Sequence, residues 1–274
     1  MVDVRARSVV RRPGLALSVA VLVLVLLAAV LPGLFTDQDP LAGVPAERLR
    51  GPSWEHWFGT DETGRDLFTR VVHGTGLSLR ATALAVAVAL LAGSALGLLA
   101  GFRGGWLDSV LMRVVDVLQA IPAILLSLAL VTALGFGTTN VAVAVGVSNL
   151  AAFARLMRAE VLRVRSGVFV EAARAGGVRW GGVLGRHVLP HALGPVLVLA
   201  ALTFGTAVLE VSALSFLGFG ATPPTPEWGA LVAGGRSFLA SAWWLTTFPG
   251  LVVAVVVLAA NRVGRALDDE RRTA

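Results

Sequence analysis

Six long apolar stretches, at residues 15–35, 77–101, 106–134, 137–157, 192–214 and 243–260, constrain this chain more than any other feature. Each approaches or exceeds the ~20 residues that cross ~30 Å of hydrocarbon at 1.5 Å per residue. Backbone amides and carbonyls find no water there, so only helices or closed barrels satisfy them. The stretches lack the alternation of barrel strands. The first is too long for a signal-peptide core, and Pro32-Gly33 is no cleavage site, so it reads as an uncleaved helix. The expected fold is all-α: a polytopic membrane protein with six transmembrane helices. Composition agrees, with 56% hydrophobic and 15% charged residues against roughly 45–50% and 25% in a soluble domain.

Arginine placement gives the orientation, because positively charged loops stay in the cytoplasm. With six spans, both termini share a side with the segments after the second and fourth helices. That side carries Arg5, Arg7, Arg11 and Arg12, then Arg103 and Arg113, then the run from Arg155 to Arg186, and lastly Arg262, Arg265, Arg271 and Arg272. The other side holds Arg48, Arg50, Arg65, Arg70 and Arg236 among many acids. The expected organisation is a cytoplasmic segment 1–14, a first helix 15–35 and an extracytoplasmic loop 36–76. A five-helix core 77–262 containing an inner loop 158–191 follows, then a cytoplasmic tail 263–274. Trp54, Trp57 and Phe58 in the outer loop are expected near headgroup level. The net charge of +6 does not imply nucleic acid, since the arginines alternate between sides rather than gathering on one face. Without cysteine the chain has no disulfide, thiolate nucleophile or thiolate metal site.

The inner loop is the informative segment. Glu171 opens an alanine-rich stretch, Glu171-Ala172-Ala173-Arg174-Ala175, where an acid suits a helix N-terminus. Gly176 and Gly177 supply a stop. Leu189-Pro190 predicts a turn into the next span, because the residue before proline disfavours α. The residues describe a short helix with a small-residue face, suited either to a groove of another protein or to anchoring at anionic lipid.

Glu171-Ala172-Ala173, Arg174, Gly177 and Leu189-Pro190 together resemble the EAA loop of ABC importer permeases. Phe58-Gly59-Thr60-Asp61-Glu62-Thr63-Gly64-Arg65-Asp66 resembles the stretch before the second helix in the dipeptide/oligopeptide/nickel group of that family. The run Leu214 to Gly220, followed by Pro223 to Gly229, is similar to the group's outer loop before the last helix. The resemblance spans roughly Pro52 to Leu267. It implies a cytoplasmic coupling helix that docks into a partner ATPase, and a permease subunit that carries small peptides or similar solutes, with nickel or another small solute as the alternative. It also implies a second related permease chain, two ATPase subunits that bind ATP and Mg, a solute-binding protein and no cofactor in this chain. Gly176 stands where the family carries a larger residue, so the coupling helix is expected to end early or be looser. The tail lacks a closing proline.

Polar residues within spans are expensive and therefore informative. Asp116 and Gln119 precede a helix-bending Pro122, Asn149 lies in the fourth span, and Glu210 in the fifth. These line the translocation path or serve interhelical hydrogen bonding, and Glu210 is expected to pair with a partner in this or a sister chain. Gly93, Gly97 and Gly101 repeat every fourth residue, a close-packing signal. His187 and His191 mimic a metal pair, but Pro190 is expected to interrupt the helix and no carboxylate completes a site. His56 and His73 read as ordinary loop histidines, or as contacts to a metal substrate if nickel is the cargo. No GxxxxGK[ST] or nucleophile elbow occurs, so the chain is not an enzyme and ATP hydrolysis is expected on partners. A gradient-driven secondary transporter would need intramembrane ion sites and repeats; an intramembrane enzyme would need a reactive constellation that the spans do not hold.

Overall fold

The computed structural model describes residues 13–273, with the side chains at 174, 180 and 270–273 left aside. The arginines expected before the first span, Arg5 to Arg12, lie outside the described residues. Helix α1 (Pro13–Val30) is followed by a 3-10 turn at Pro32–Leu34, so the first span ends earlier than residue 35. It exposes Leu17, Val23, Leu24, Leu26 and Val30 and buries only Leu15, Ser18 and Ala28, the pattern of a helix whose outer side faces lipid. It packs on α2 and α10.

Helix α2 (Leu67–Arg103) is 37 residues long. It begins ten residues before the expected 77 because Asp66 caps it, accepting the Thr69 amide at 2.7 Å. Its far end stops at Gly104, where φ is +68°. There the Arg165 guanidinium donates to the Gly101 and Phe102 carbonyls at 3.0 and 2.8 Å, satisfying acceptors that a helix terminus leaves open.

The span expected over 106–134 is not one helix. Helices α3 (Gly105–Ala120) and α4 (Ala123–Leu134) meet at 97°. Ile121 is extended (φ −96°, ψ 130°), as its position before Pro122 requires. Together they form a bent pair, a broken span or a re-entrant loop; among the described residues five other helical segments are individually long and apolar enough to cross a bilayer. Helix α5 (Thr138–Arg165) is the central element. Across it lies α2, whose small residues let the two backbones approach closely. A Cβ on Gly93 would lie 2.6 Å from the Leu150 carbonyl, and one on Gly97 would lie 2.2 Å from the Ala154 carbonyl.

The expected inner loop 158–191 is mostly helical. Helices α6 (Val168–Ala175) and α7 (Trp180–Val183) lead through a π-turn at Leu184–Val188 into α8 (Leu189–Phe216). The predicted turn at Leu189-Pro190 is absent, since Leu189 is right-handed helical (φ −61°, ψ −48°) and donates to Leu184 five residues back. The wider turn lets the helix pass a residue without an N–H donor. His187 and His191 therefore share a continuous helical path; the His191 ring donates to the His187 carbonyl at 2.7 Å.

Helix α9 (Trp228–Gly235) tucks against α2, α8 and the last helix, α10 (Trp244–Thr273). The expected tail from 263 continues α10 as helix. Among the described residues the core falls into separate apolar clusters involving α2, α5, α8 and α10, with a smaller one where α3 meets α5.

Substituting Gly97 with leucine should destabilise the protein by about 3 kcal/mol or more, read as a lower thermal midpoint in detergent. Gly33→Ala, in open space, should move it by less than about 0.5 kcal/mol. Equal midpoints for the two variants would contradict the close approach of α2 and α5.

Candidate functional site

Three groups of residues carry polar chemistry, one at each end of the helices and one between. At the arginine-rich end, α6 is pinned by its hydrophobic side. Val170 is 1% exposed in a cluster with Val161, Val164, Val183 and Val188, and the Phe169 ring lies 5.3 Å from that of His191. The remaining side points outward: Val168 is 79% exposed, and Glu171, Ala172, Ala175, Gly176 and Gly177 are exposed with it. Glu171 sits in the first turn, where a carboxylate favours the helix dipole. The helix closes as Gly176 donates to Ala172 at 2.9 Å and Val178 to Ala173 at 3.1 Å. Gly177 takes φ +83°, a left-handed conformation that glycine adopts without penalty. Leu189 packs on the same cluster as Val170, and Pro190 is exposed beside it on α8. The result is an eight-residue helix anchored by Val170 in the cluster of α5, the π-turn and the start of α8, with Glu171, Ala172 and Ala175 exposed alongside Val168 and Phe169.

Of the four polar candidates within the spans, the structure pairs Asn149 with Glu210 and joins Asp116 to Arg155, which lies outside the four. Asp116 on α3 accepts from Arg155 on α5 at 2.7 Å, both half exposed. Asn149 on α5 donates to Glu210 on α8 at 2.7 Å and to its own helix at Val145, 3.0 Å away. Glu210 thus has its partner within this chain. Gln119 is exposed, and no bond to it is defined. Sequence reasoning placed Arg155 only among the cytoplasmic arginines. Its pairing with Asp116 spans 39 positions, so no local spacing reveals it. The same holds for Arg158, which grips both oxygens of Asp108 at 2.5 and 2.7 Å.

The opposite end is a compact knot built from residues 40–70. Asp61 is its centre: one oxygen accepts the Thr63 amide and hydroxyl, both at 2.8 Å, and the Arg65 amide at 3.0 Å. The other accepts the Arg65 guanidinium at 2.6 Å and lies 3.5 Å from that of Arg70. Thr60 bonds the Glu47 carbonyl and receives the Arg50 amide at 2.9 Å. Gly64, at φ +79°, leaves no room for a side chain, since a Cβ would lie 1.9 Å from the Val44 carbonyl. Gly59 is similarly crowded by Arg50 and Trp244. Asp66 caps α2 with one oxygen and bonds His56 at 2.9 Å with the other, and His56 also faces Glu47 at 3.4 Å. Phe58 stacks on Phe248 at 4.4 Å, whereas Trp54 is 97% exposed.

Next to the knot, Glu227 is fully buried. It caps α9 through the Gly229 and Ala230 amides at 3.1 and 3.0 Å and accepts the Ser78 hydroxyl at 3.1 Å. The sequence signal for this role is an acid directly before an apolar helix start. Among the described residues no cluster of three or more His, Asp or Glu side chains is arranged to hold a metal.

Burial pushes the Asp61 carboxyl up, but bonds from the Arg65 and Thr63 amides, the Thr63 hydroxyl and the Arg65 side chain outweigh it and hold it below its ordinary 3.8. With the folded-state value below the unfolded one, the Asp61 contribution is complete above pH 3.8 and is lost as pH falls through the lowered value. Asp61→Asn should therefore cost about 2 kcal/mol at pH 7 and should lose part of the acid sensitivity of the fold. Thermal unfolding in detergent at neutral and acid pH tests this, and equal midpoints for variant and parent at pH 7 would contradict it.

The family described as "binding-protein-dependent transport system inner membrane component" matches residues 93–273. The dipeptide transport system permease protein DppC of Alkalihalophilus pseudofirmus is 44% identical over 244 residues, covering 89% of this chain and 80% of that protein. The glutathione transport system permease protein GsiD of Pectobacterium atrosepticum is 42% identical, covering 80% and 73%. The probable D,D-dipeptide transport system permease protein DdpC of Escherichia coli is 39% identical, covering 92% and 85%. Among solved structures, a chain of an amino acid ABC transporter aligns with a TM-score of 0.58 at 18% identity, over 74% of this chain and 94% of its own. A chain of the inward-facing MetNI methionine ABC transporter gives 0.58 at 22%, over 73% and 97%. At these identities the two structures speak to fold.

Proposed function

The chain belongs to the binding-protein-dependent transport system inner membrane components, the multi-pass permease subunits of ABC importers, and on that footing we propose that it forms part of an ATP-driven import path for small peptides. The observation that carries the coupling half of this reading is α6: a short helix pinned by Val170 and Phe169 that turns Glu171, Ala172, Ala175 and Gly177 outward. Such a helix offers a neighbouring protein a small, firm surface to grip. Peptide as cargo is favoured over nickel by the relatives, whose names specify dipeptides and glutathione.

In the proposed assembly this chain pairs with a second, related permease. Two cytoplasmic ATPase subunits bind ATP and Mg, and a solute-binding protein delivers cargo from the far side. Both termini lie in the cytoplasm by arginine placement. Closure of the ATPases on nucleotide displaces α6, with Glu171, Ala172, Ala173, Arg174 and Gly177 as its contact set and Leu189 and Pro190 at the base of α8. Because α6 is joined to α5 on one side and reaches α8 through α7 on the other, its displacement acts on the two helices that carry Asn149 and Glu210. Asp116, Gln119, Asn149 and Glu210 line the path on this reading. Nucleotide then shifts the population from inward-open to outward-open by stabilising one helix arrangement over the other. On the outer face, Gly59, Thr60, Asp61, Gly64, Arg65 and Asp66 give the structure its firm cap.

Glu171→Arg reverses the charge on the exposed face of α6. Gly177→Val forces a branched side chain into a left-handed position that costs about 1–2 kcal/mol. Both should lower ATP-dependent peptide uptake about tenfold or more, a loss of ~1.4 kcal/mol or more in coupling, while the chain still enters the membrane and co-purifies with its sister permease. Recovery of ATPase subunits in the same purification should fall. Normal uptake by well-expressed forms of both variants would remove the coupling assignment.

A further inference from the structure

A helix facing lipid shows large apolar side chains, as α1 does with Leu17, Val23, Leu24 and Leu26. The open side of α5 is different. Ala152, Arg155 and Ala159 are exposed there and Asn149 is half-buried above them. On α8, Thr206 is exposed and Glu210 half-buried one turn further on. The small and polar open side of α5 fits water or a polar partner rather than acyl chains, whereas α8 also exposes Leu197 and Leu209 beside Thr206 and Glu210.

The charges on this part of the molecule are mostly matched. Asp116 is paired with Arg155, Asp108 with Arg158, and Glu160 with Arg163. Among the described residues Glu210 has no such ion pair. Its Oε2 accepts from the Asn149 amide, a neutral donor that is itself anchored to the Val145 carbonyl. Among the described residues no cation lies within ion-pair distance of it, and no bond is defined to Oε1. A counter-charge stabilises the ionised form of an acid inside a span, and among the described residues a bond is defined to only one oxygen of Glu210.

We infer that Glu210, positioned by Asn149, takes the ammonium group of the passing solute. The inference rests on the peptide-import reading above and adds the chemistry by which the path holds its cargo. A primary ammonium brings one positive charge and three donors, and the free N-terminus of a peptide is largely in that form at neutral pH. The charge-assisted bond from ammonium to Oε1 supplies the missing counter-charge. Asn149 is a positioning residue: it keeps Oε2 occupied so that Oε1 faces the open side. Because the carboxylate sits on α8, which leads back to α6, the same helix movement that opens the path also moves this group relative to α5, loosening the station as the cargo leaves.

The test uses the whole complex, purified with its partner subunits and reconstituted in vesicles, with a saturating amount of its solute-binding protein. The probes are dialanine and N-acetyl-dialanine, which differ in the ammonium. The binding protein is the same throughout, so a change in the ratio of their uptake rates between variants belongs to the permease. Glu210→Gln should lower the dialanine preference about tenfold, the size expected for one charge-assisted bond, while Glu210→Asp should retain most of it. Asn149→Ala should lower it by a smaller factor. An unchanged ratio in Glu210→Gln would overturn the inference, whether both rates persist or fall together; the counter-charge would then come from the sister permease or the carboxyl would serve packing. Loss of all uptake in both Glu210 variants of an intact complex would overturn it too. Failure of the parent complex to import either probe with ATP would instead remove the peptide-import reading itself.

Discussion

The backbones of α2 and α5 lie so close at Gly93 and Gly97 that a single added methyl group would meet a carbonyl of the facing helix. Lipid tails are as apolar as leucine, so burial alone does not drive helices together in a bilayer; close van der Waals packing and polar bonds do. The contact fixes α5 in the middle of the molecule, and much else follows from that placement. From it α5 reaches Asp108 and Asp116 on α3 through Arg158 and Arg155, meets Glu210 on α8 through Asn149, and at its end passes into α6.

The position of α6 has a mechanical meaning. A short helix hanging from flexible loops would absorb a pull without passing it on. Here Val170 is sunk into the cluster formed by α5, the π-turn and the start of α8, and Phe169 lies against His191. On the proposed coupling reading, a displacement of α6 passes through the buried Val170 to α5 and α8, because packed interiors deform little. Gly177 ends the helix by its left-handed backbone and keeps the exposed surface small.

The far end of the molecule solves a different problem. A segment of about thirty residues has too little apolar surface to build a core of its own, so it is tied by polar bonds and by docking on helices. Asp61 collects several donors, and Arg70 reaches the carbonyls of Pro40 and Pro224 at 3.0 and 3.2 Å. Glu227 serves α9 and Ser78 together. Trp244 donates to the Thr60 carbonyl at 3.2 Å. These bonds join the first outer segment to the last one, across the ends of helices that are distant in sequence.

Apolar block length alone determined that this chain is a helical membrane protein, because the bilayer leaves an unpaired backbone no other solvent. The glycines of α2 announced close packing through their spacing, and the Glu171-to-Gly177 run announced a short helix with a stop. Tertiary structure decided the rest. Pro122 signals a bend, but the 97° angle between α3 and α4 is set by what each half packs against. Pro190 predicted a turn, yet the chain stays helical because a π-turn relieves the missing donor at a point where α8 is already held on the α5–α6 cluster. Asp66 extended α2 past its apolar block, since capping and docking replace hydrophobicity once a helix leaves the membrane. The pairings of Asp116 with Arg155 and Asn149 with Glu210 join residues 39 and 61 positions apart. Local periodicity says which side of a helix a residue occupies, whereas the neighbour it meets there is chosen only when the helices pack.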